Sequence, residues 1–203
     1  MSAVFDKLRS AEKYQSEYVT PSEPVFVKVG PAMHLSITGR GAPGGEHFKL
    51  HISALYSVAF TLKMAKKFAG HDYKVCHLEG QLWAEDGCDF RTHQPNECHW
   101  RLLIRVPDFI TQKDVDEAIQ PVMKKGKAVL SNQVKLEKLT EGRCVQMLHV
   151  GPYAEETTTV NRMHEMAENK GVHLRGPHHE IYLSDPNRVP PQRLRTILRY
   201  PIE

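Results

Sequence analysis

Two heptapeptides, one in each half of the chain, set the tightest limit on how it can fold. RLLIRVP from Arg101 and RTILRYP from Arg195 both fit the pattern R-x-x-I/L-R-x-P. Each closes a similar series of elements. In the first pass VFVKV and MHLSITG read as strands. The glycine-rich GRGAPGG and a helix from about Glu46 to Ala69 follow. In that helix Phe48, Ile52, Leu55, Ala59 and Leu62 recur at helical steps, and Gly70 ends the pattern. VCHLEGQLW and HWRLLIRV complete the pass as strands. In the second pass VKLEKL and CVQMLHV lead to GPY, with Pro152 at a helix start. The helix is carried by Val160, Met163 and Ala167 and closed at Gly171, and HHEIYL and LRTILRY follow. Each pass also places a glutamate in the strand after its helix, Glu79 and Glu180. A tandem duplication accounts for these matches and restricts the chain to folds that pair two like units.

The expected class is therefore α+β, a tandem pair of strand-helix-strand-strand units with pseudo-twofold symmetry and a ligand groove between them. The whole chain, 1–203, reads as one domain: an N-terminal arm over 1–20 with an amphipathic stripe of Val4, Phe5, Leu8 and Ala11, a first repeat over 21–112, a connector over 113–132 marked by the lysines and glycine of PVMKKGKAVLSNQ, and a second repeat over 133–203. Both helices are expected on one side. Side-chain alternation puts His179, Ile181 and Leu183 on one face of their strand, suited to a core under helices, and His178, Glu180 and Tyr182 on the other. That second face either meets water or lines a concavity. With each helix covering one face of its sheet, the other face is left for the partner copy, so Glu79, Gln81 and Trp83 are expected to look into the same groove as Glu180 and Tyr182.

Composition narrows the function classes. The chain has 203 residues and a formal net charge of +3, with no dense Lys/Arg block, so nucleic-acid and membrane-surface partners are not expected. No apolar run approaches a membrane span, and MSAVFDKLRS lacks the apolar core of a signal peptide, which points to the cytoplasm. The scattered Cys76, Cys88, Cys98 and Cys144 fit a reducing compartment. Cys88, His93, Cys98 and His99 are zinc-type ligands in one short segment, but they lack paired C-x-x-C knuckles, and no metal is expected there. His178 and His179 point to opposite faces, which argues against joint metal ligation.

Several blocks resemble the GyrI-like small-molecule-binding family, the group that includes effector-binding domains of AraC-type and multidrug-sensing regulators, and are similar to its stand-alone branch. They are ALYSVAFTLK, DYKVCHLEGQLW, WRLLIRVPDF, the EGRCVQMLHVGPY run from Glu141, HHEIYLSDP and TILRYP. The resemblance covers roughly residues 20 to 203. One departure is that the branch often has two tryptophans after LEG and a leucine, where this chain has Gln81, Leu82 and Trp83. The resemblance implies a pseudo-twofold pair of units around a ligand groove, with no cofactor. It also implies that Glu180 matches the buried glutamate which in regulators meets cationic aromatic ligands. Some stand-alone members are hydrolases that open the cyclopropane ring of DNA-alkylating cyclopropanoid natural products, a detoxification. No helix-turn-helix segment is legible ahead of residue 20, so a one-component transcription factor is not expected.

Ring opening needs a base for water and a donor at the carbonyl that receives the charge. Glu180 is the candidate base, since a carboxylate in an apolar, aromatic groove has its pKa raised toward the working range. Tyr182, Tyr153 and Tyr56 are candidate donors, and Trp83 and Trp100 candidate stacking surfaces. Each role has a plainer rival. Trp100 is also a core candidate because Leu102 and Ile104 follow it in alternation, and Tyr56 sits beside the buried stripe of its helix. His149, ahead of GPY, is a minor ligand candidate that could instead cap or bridge backbone groups, and Glu79 could be a structural group near Gly80. The expected partner is a small aromatic or cationic ligand and the expected state a monomer or weak homodimer. A sensor or sequestering module that binds without turnover uses the same groove and stays open beside the hydrolase.

Overall fold

The computed structural model describes residues 17–84, 98–126 and 128–203. Its strands are β1 (Val25–Val29), β2 (Ala32–Arg40), β3 (Leu78–Trp83), β4 (His99–Val106), β5 (Lys135–Leu139), β6 (Gly142–Val150), β7 (His178–Tyr182) and β8 (Arg195–Pro201). The helices are α1 (Glu46–Phe68), α2 (Gln112–Lys124) and α3 (Glu156–Asn169). All eight strands join one curled antiparallel sheet in the order β1-β6-β8-β7-β3-β4-β2-β5. Exchanging β1 with β5, β2 with β6, β3 with β7 and β4 with β8 gives the same order read backwards. The sheet therefore has a pseudo-twofold axis between β3 and β7, where Glu79 pairs with Ile181. Each repeat also lends its first strand to the other, β1 pairing with β6 and β5 with β2. Neither repeat has its full set of strand partners alone.

Alternation and register sort the two faces. Leu35 and Ile37 of β2 and Trp100, Leu102 and Ile104 of β4 point to the face that α1 covers with Phe48, Ala54, Leu55, Val58 and Leu62. Val145 and Met147 of β6 and Leu198 and Tyr200 of β8 point to the same face, where α3 covers them with Val160, Met163 and Ala167. Both long helices thus lie on one side, as the repeat implies. The glycine-rich run ahead of α1 supplies positive φ at Gly41 and Gly44, a region that β-carbons disfavour, and Gly70 (φ 87°) closes the helix.

The connector holds a helix that sequence reading had not assigned. Thr111 accepts from the Asp114 backbone N–H while the Asp114 carboxylate takes the Thr111 N–H, a reciprocal N-terminal cap. Val115, Ala118, Ile119 and Val122 of α2 are buried in the α1 cluster, and Lys66 of α1 pairs with Asp114 at 2.6 Å. The T-x-x-D spacing ahead of an apolar stripe was the available signal.

The opposite face is polar at its centre, and here the repeated heptapeptide acquires a physical meaning. The second arginines of the two copies, Arg105 and Arg199, occupy equivalent places and both point inward on this face. Arg105 donates to Glu17 at 2.6 Å. Arg199 donates to Glu141 and to Gln146, each at 2.8 Å, and to the Glu17 carbonyl. His179 lies between two carboxylates, 2.8 Å from Glu141 and 3.1 Å from Glu79, and Tyr18 donates to Glu79 at 2.8 Å. Burial alone would lower the His179 imidazole, but Glu141 and Glu79 raise it to about 9. Burial alone would raise the Glu79 carboxyl, but the hydrogen bond from His179 and the nearby cations hold it at about 2. Three carboxylates, two guanidiniums and one imidazolium balance in charge, as a water-poor interior requires. Residues 17–18, expected in an appended arm, are thus part of the core. The amphipathic stripe ahead of them lies outside the described residues. Among those described, no helix is long and apolar enough to cross a membrane.

Candidate functional site

Between α1 and α3 the helix-bearing face of the sheet is floored by β3 and β7. Gly80 pairs with Glu180 and Leu82 with His178, so these four and Tyr182 point up between the helices. Glu156 enters from the first turn of α3, Tyr153 from the short turn before it, and Tyr56 from α1. Glu180, Glu156 and His178 are only 5%, 3% and 3% exposed, while Tyr153 forms an outer rim at 38%. Tyr182 is partly buried and meets the Tyr153 ring edge-on at 5.8 Å.

His178 organises the charges. Its Nε2 lies 3.3 Å from Glu180 Oε1 and 3.6 Å from Glu156 Oε2, and its Nδ1 is 2.8 Å from the Tyr200 hydroxyl. Burial opposes its protonation, but hydrogen bonds and charge from Glu156 and Glu180 raise it to about 9, so near neutrality it is an imidazolium. Burial first, then the charges of Glu180 and Glu156 and a hydrogen bond to Glu180, push the Tyr182 hydroxyl well above its ordinary range. Burial and the same two carboxylates push Tyr153 up to about 12. Both phenols therefore remain proton donors near neutrality. Glu156, His178 and Glu180 are also the group of potential metal ligands found among the described residues, with one donor atom each within 4.8 Å of the others. The raised imidazole of His178 is held as a cation there.

The sequence-based candidates divide. Glu180, Tyr182 and Tyr153 come together. Tyr56 packs against the same core as Tyr182, its ring stacking on Phe60 at 5.9 Å. Glu79 and Trp83 do not join them. Glu79 pairs with Ile181, one step out of phase with Glu180, so it points to the opposite face and into the ionic core. Trp83 follows it there and stacks on His99 at 6.0 Å. Correspondingly, His179 and Ile181 do not lie under the helices. Trp100 is fully buried under α1 against Phe48 and His51. His149 bridges Thr159 Oγ1 at 2.9 Å and the Pro152 carbonyl at 3.1 Å, fixing the turn into α3. Sequence reading missed Glu156 and Tyr200 and had weighed His178 only as a metal ligand. The position of Glu156 in the first helical turn after GPY was the one available hint. Of the zinc-type set, Cys88 and His93 lie outside the described residues; Cys98 is buried with its thiol toward the His99 carbonyl. A cavity of about 10 Å³ on the opposite face, lined by Tyr18, His34, Glu79, Arg105, Glu141 and Arg199 among others, has room for one water and none for an aromatic ligand.

A family model described as a GyrI-like small molecule binding domain matches residues 109–203, the part that carries Glu156, His178, Glu180 and Tyr182. An uncharacterized conserved protein from Listeria innocua is similar at 35% identity and a TM-score of 0.87, over 95% of this chain and 98% of that one. A hydrolase from Listeria innocua is similar at 34% identity and a TM-score of 0.84, over the same shares of the two chains. The C-terminal domain of EcmrR, 11% identical with a TM-score of 0.61 over 89% of this chain and 97% of that one, shares the fold. No curated protein matches.

Proposed function

The chain belongs to the GyrI-like small-molecule-binding family, and on that premise we propose that it is a hydrolase which opens the cyclopropane ring of cyclopropanoid genotoxins in the groove between α1 and α3. The observation that carries this reading is a buried carboxylate, Glu180, beside phenols that stay protonated, Tyr182 and Tyr153. The relative described as a hydrolase supports the reaction type.

In such a substrate the strained ring is conjugated to a dienone. Glu180 takes a proton from water as its oxygen bonds to a ring carbon. The ring C–C bond breaks, and its electron pair moves through the dienone to the carbonyl oxygen, which becomes a phenolate. Tyr182 donates a hydrogen bond to that oxygen as charge develops, and the phenolate then takes up the proton. The sum is addition of one water. His178, held by Tyr200 and Glu156, fixes the Glu180 carboxylate from behind.

A second reading, sequestration or sensing of a planar cation without turnover, is favoured by the two buried carboxyl groups, Glu156 and Glu180, that flank one another through His178. The two separate in one experiment. The protein and a Glu180→Gln variant are incubated with a cyclopropanoid, and the product one water heavier is followed by mass. We expect turnover by the wild type, a loss of about two to four orders of magnitude in the variant, and a melting temperature little changed, because the volume is kept and His178 retains Glu156 as a partner at 3.6 Å. Binding without a heavier product would leave the sequestering reading in its place.

A further inference from the structure

We propose that Gly80 is a positioning residue for Tyr182: the absence of a side chain at this one place sets where the donor hydroxyl stands relative to Glu180. The proposal rests on the reading of Glu180 and Tyr182 as the reacting pair. Three observations converge on it. First, Gly80 pairs directly with Glu180 across the central β3–β7 ladder, so both face the groove floor. Second, a Cβ built on Gly80 would lie 2.8 Å from the Tyr182 hydroxyl oxygen but 3.4 and 3.5 Å from the ring carbons Cε2 and Cζ. The conflict is therefore with the hydroxyl alone. Third, because the pseudo-twofold axis relates Glu79 to Ile181, it relates Gly80 to Tyr182 and Leu78 to Glu180. Two tyrosines at equivalent places so near the axis would compete for the same space. One copy therefore supplies the phenol and the carboxylate, and the other supplies the room.

Gly80 has no positive φ, so its backbone does not require glycine. An alanine here strains nothing in the strand, and the atom it displaces is the end of a side chain rather than backbone. Bringing carbon and oxygen to an ordinary separation moves the hydroxyl by about 0.6 Å. Catalytic geometry is sensitive on this scale, a misplacement of about 1 Å costing roughly a hundredfold in rate. The expected signature of Gly80→Ala is therefore a fall of roughly tenfold in kcat with a nearly unchanged melting temperature.

Four proteins test this: wild type, Gly80→Ala, Tyr182→Phe and the double variant. Each is followed by turnover of a cyclopropanoid, by melting temperature, and by NMR of tyrosines labelled with carbon-13 at Cζ. The Tyr182 resonance is the one that disappears in Tyr182→Phe. We expect that resonance to move in Gly80→Ala, kcat to fall with KM little changed, and the alanine to add no further loss once Tyr182 is phenylalanine, because the clashing oxygen is gone. An unmoved Tyr182 resonance overturns the proposal. So does an alanine cost as large in the Tyr182→Phe background as in the wild type, or a loss of folding that phenylalanine does not relieve, since each would place the role of Gly80 elsewhere. If the wild type turns over no cyclopropanoid, the functional reading fails by itself, and the resonance and melting data still decide whether Gly80 positions Tyr182.

Discussion

Replacing Arg199 by methionine puts a number on the meaning of the repeated arginine. Arg199 is 2% exposed and donates to Glu141, Gln146 and the Glu17 carbonyl, so methionine keeps much of the volume and removes the charge and every donor. Breaking a buried ion pair from one side costs about 3–5 kcal/mol, because the remaining charge stays desolvated. Glu141 keeps His179 at 2.8 Å as a second cation, which places the cost near the lower end, about 3 kcal/mol. For a chain of this length the unfolding entropy is about 0.4 kcal/mol per kelvin, so the melting temperature should fall by about 7 °C. Arg195 opens the same heptapeptide but is exposed, and its methionine variant should stay within about 2 °C of wild type. Adding Glu141→Gln to Arg199→Met removes the stranded charge and should recover part of the loss. Urea titrations, with unchanged slope, confirm that the folded state is what changed. If the Arg199 and Arg195 variants melt together, the equivalent arginines are not clasps of the polar core, and the explanation of the repeat is wrong.

Two further outcomes follow from the same geometry. His178 and His179 are both raised to about 9. A raised folded-state pKa gives stability that is fully present below the unfolded value near 6.5 and is lost as pH rises through about 9. Melting temperature should therefore be level near pH 6 and fall clearly by about pH 10; a flat profile over that range would refute the imidazolium assignments. Trp83→Ala should leave ligand affinity and turnover within about twofold of wild type, since the ring lies on the far face from Glu180. A loss above about tenfold would return Trp83 to the site.

The features legible in the sequence were those encoded locally. Period-four and period-three apolar spacing placed α1 almost to the residue, and alternation correctly grouped His178, Glu180 and Tyr182 on one face. That face was assigned to the wrong side of the sheet. The assumption that Glu79 and Glu180 were counterparts was natural, since each is the glutamate of its strand. The pairing of Gly80 with Glu180 offsets them by one residue, and in a strand one residue is the difference between the two faces. Trp83 moved with Glu79 for the same reason. Glu156 and Tyr200 were illegible as site residues because neither belongs to a local motif with Glu180; α3 and β8 bring them to His178.

The sequence by itself determined that two similar units would pair, where the two long helices and the eight strands would lie, and that Glu180 would stand in a strand with a tyrosine on its own face, because these follow from spacing along a single stretch of chain. The tertiary structure alone decided that the units exchange their first strands, that Arg105 and Arg199 close a charge-balanced core with Glu17, and that Glu180 and Tyr182 face the helix-bearing side of the sheet. Those outcomes depend on the register between strands distant in sequence, which is set by the pairing of the assembled sheet and is written in no one segment.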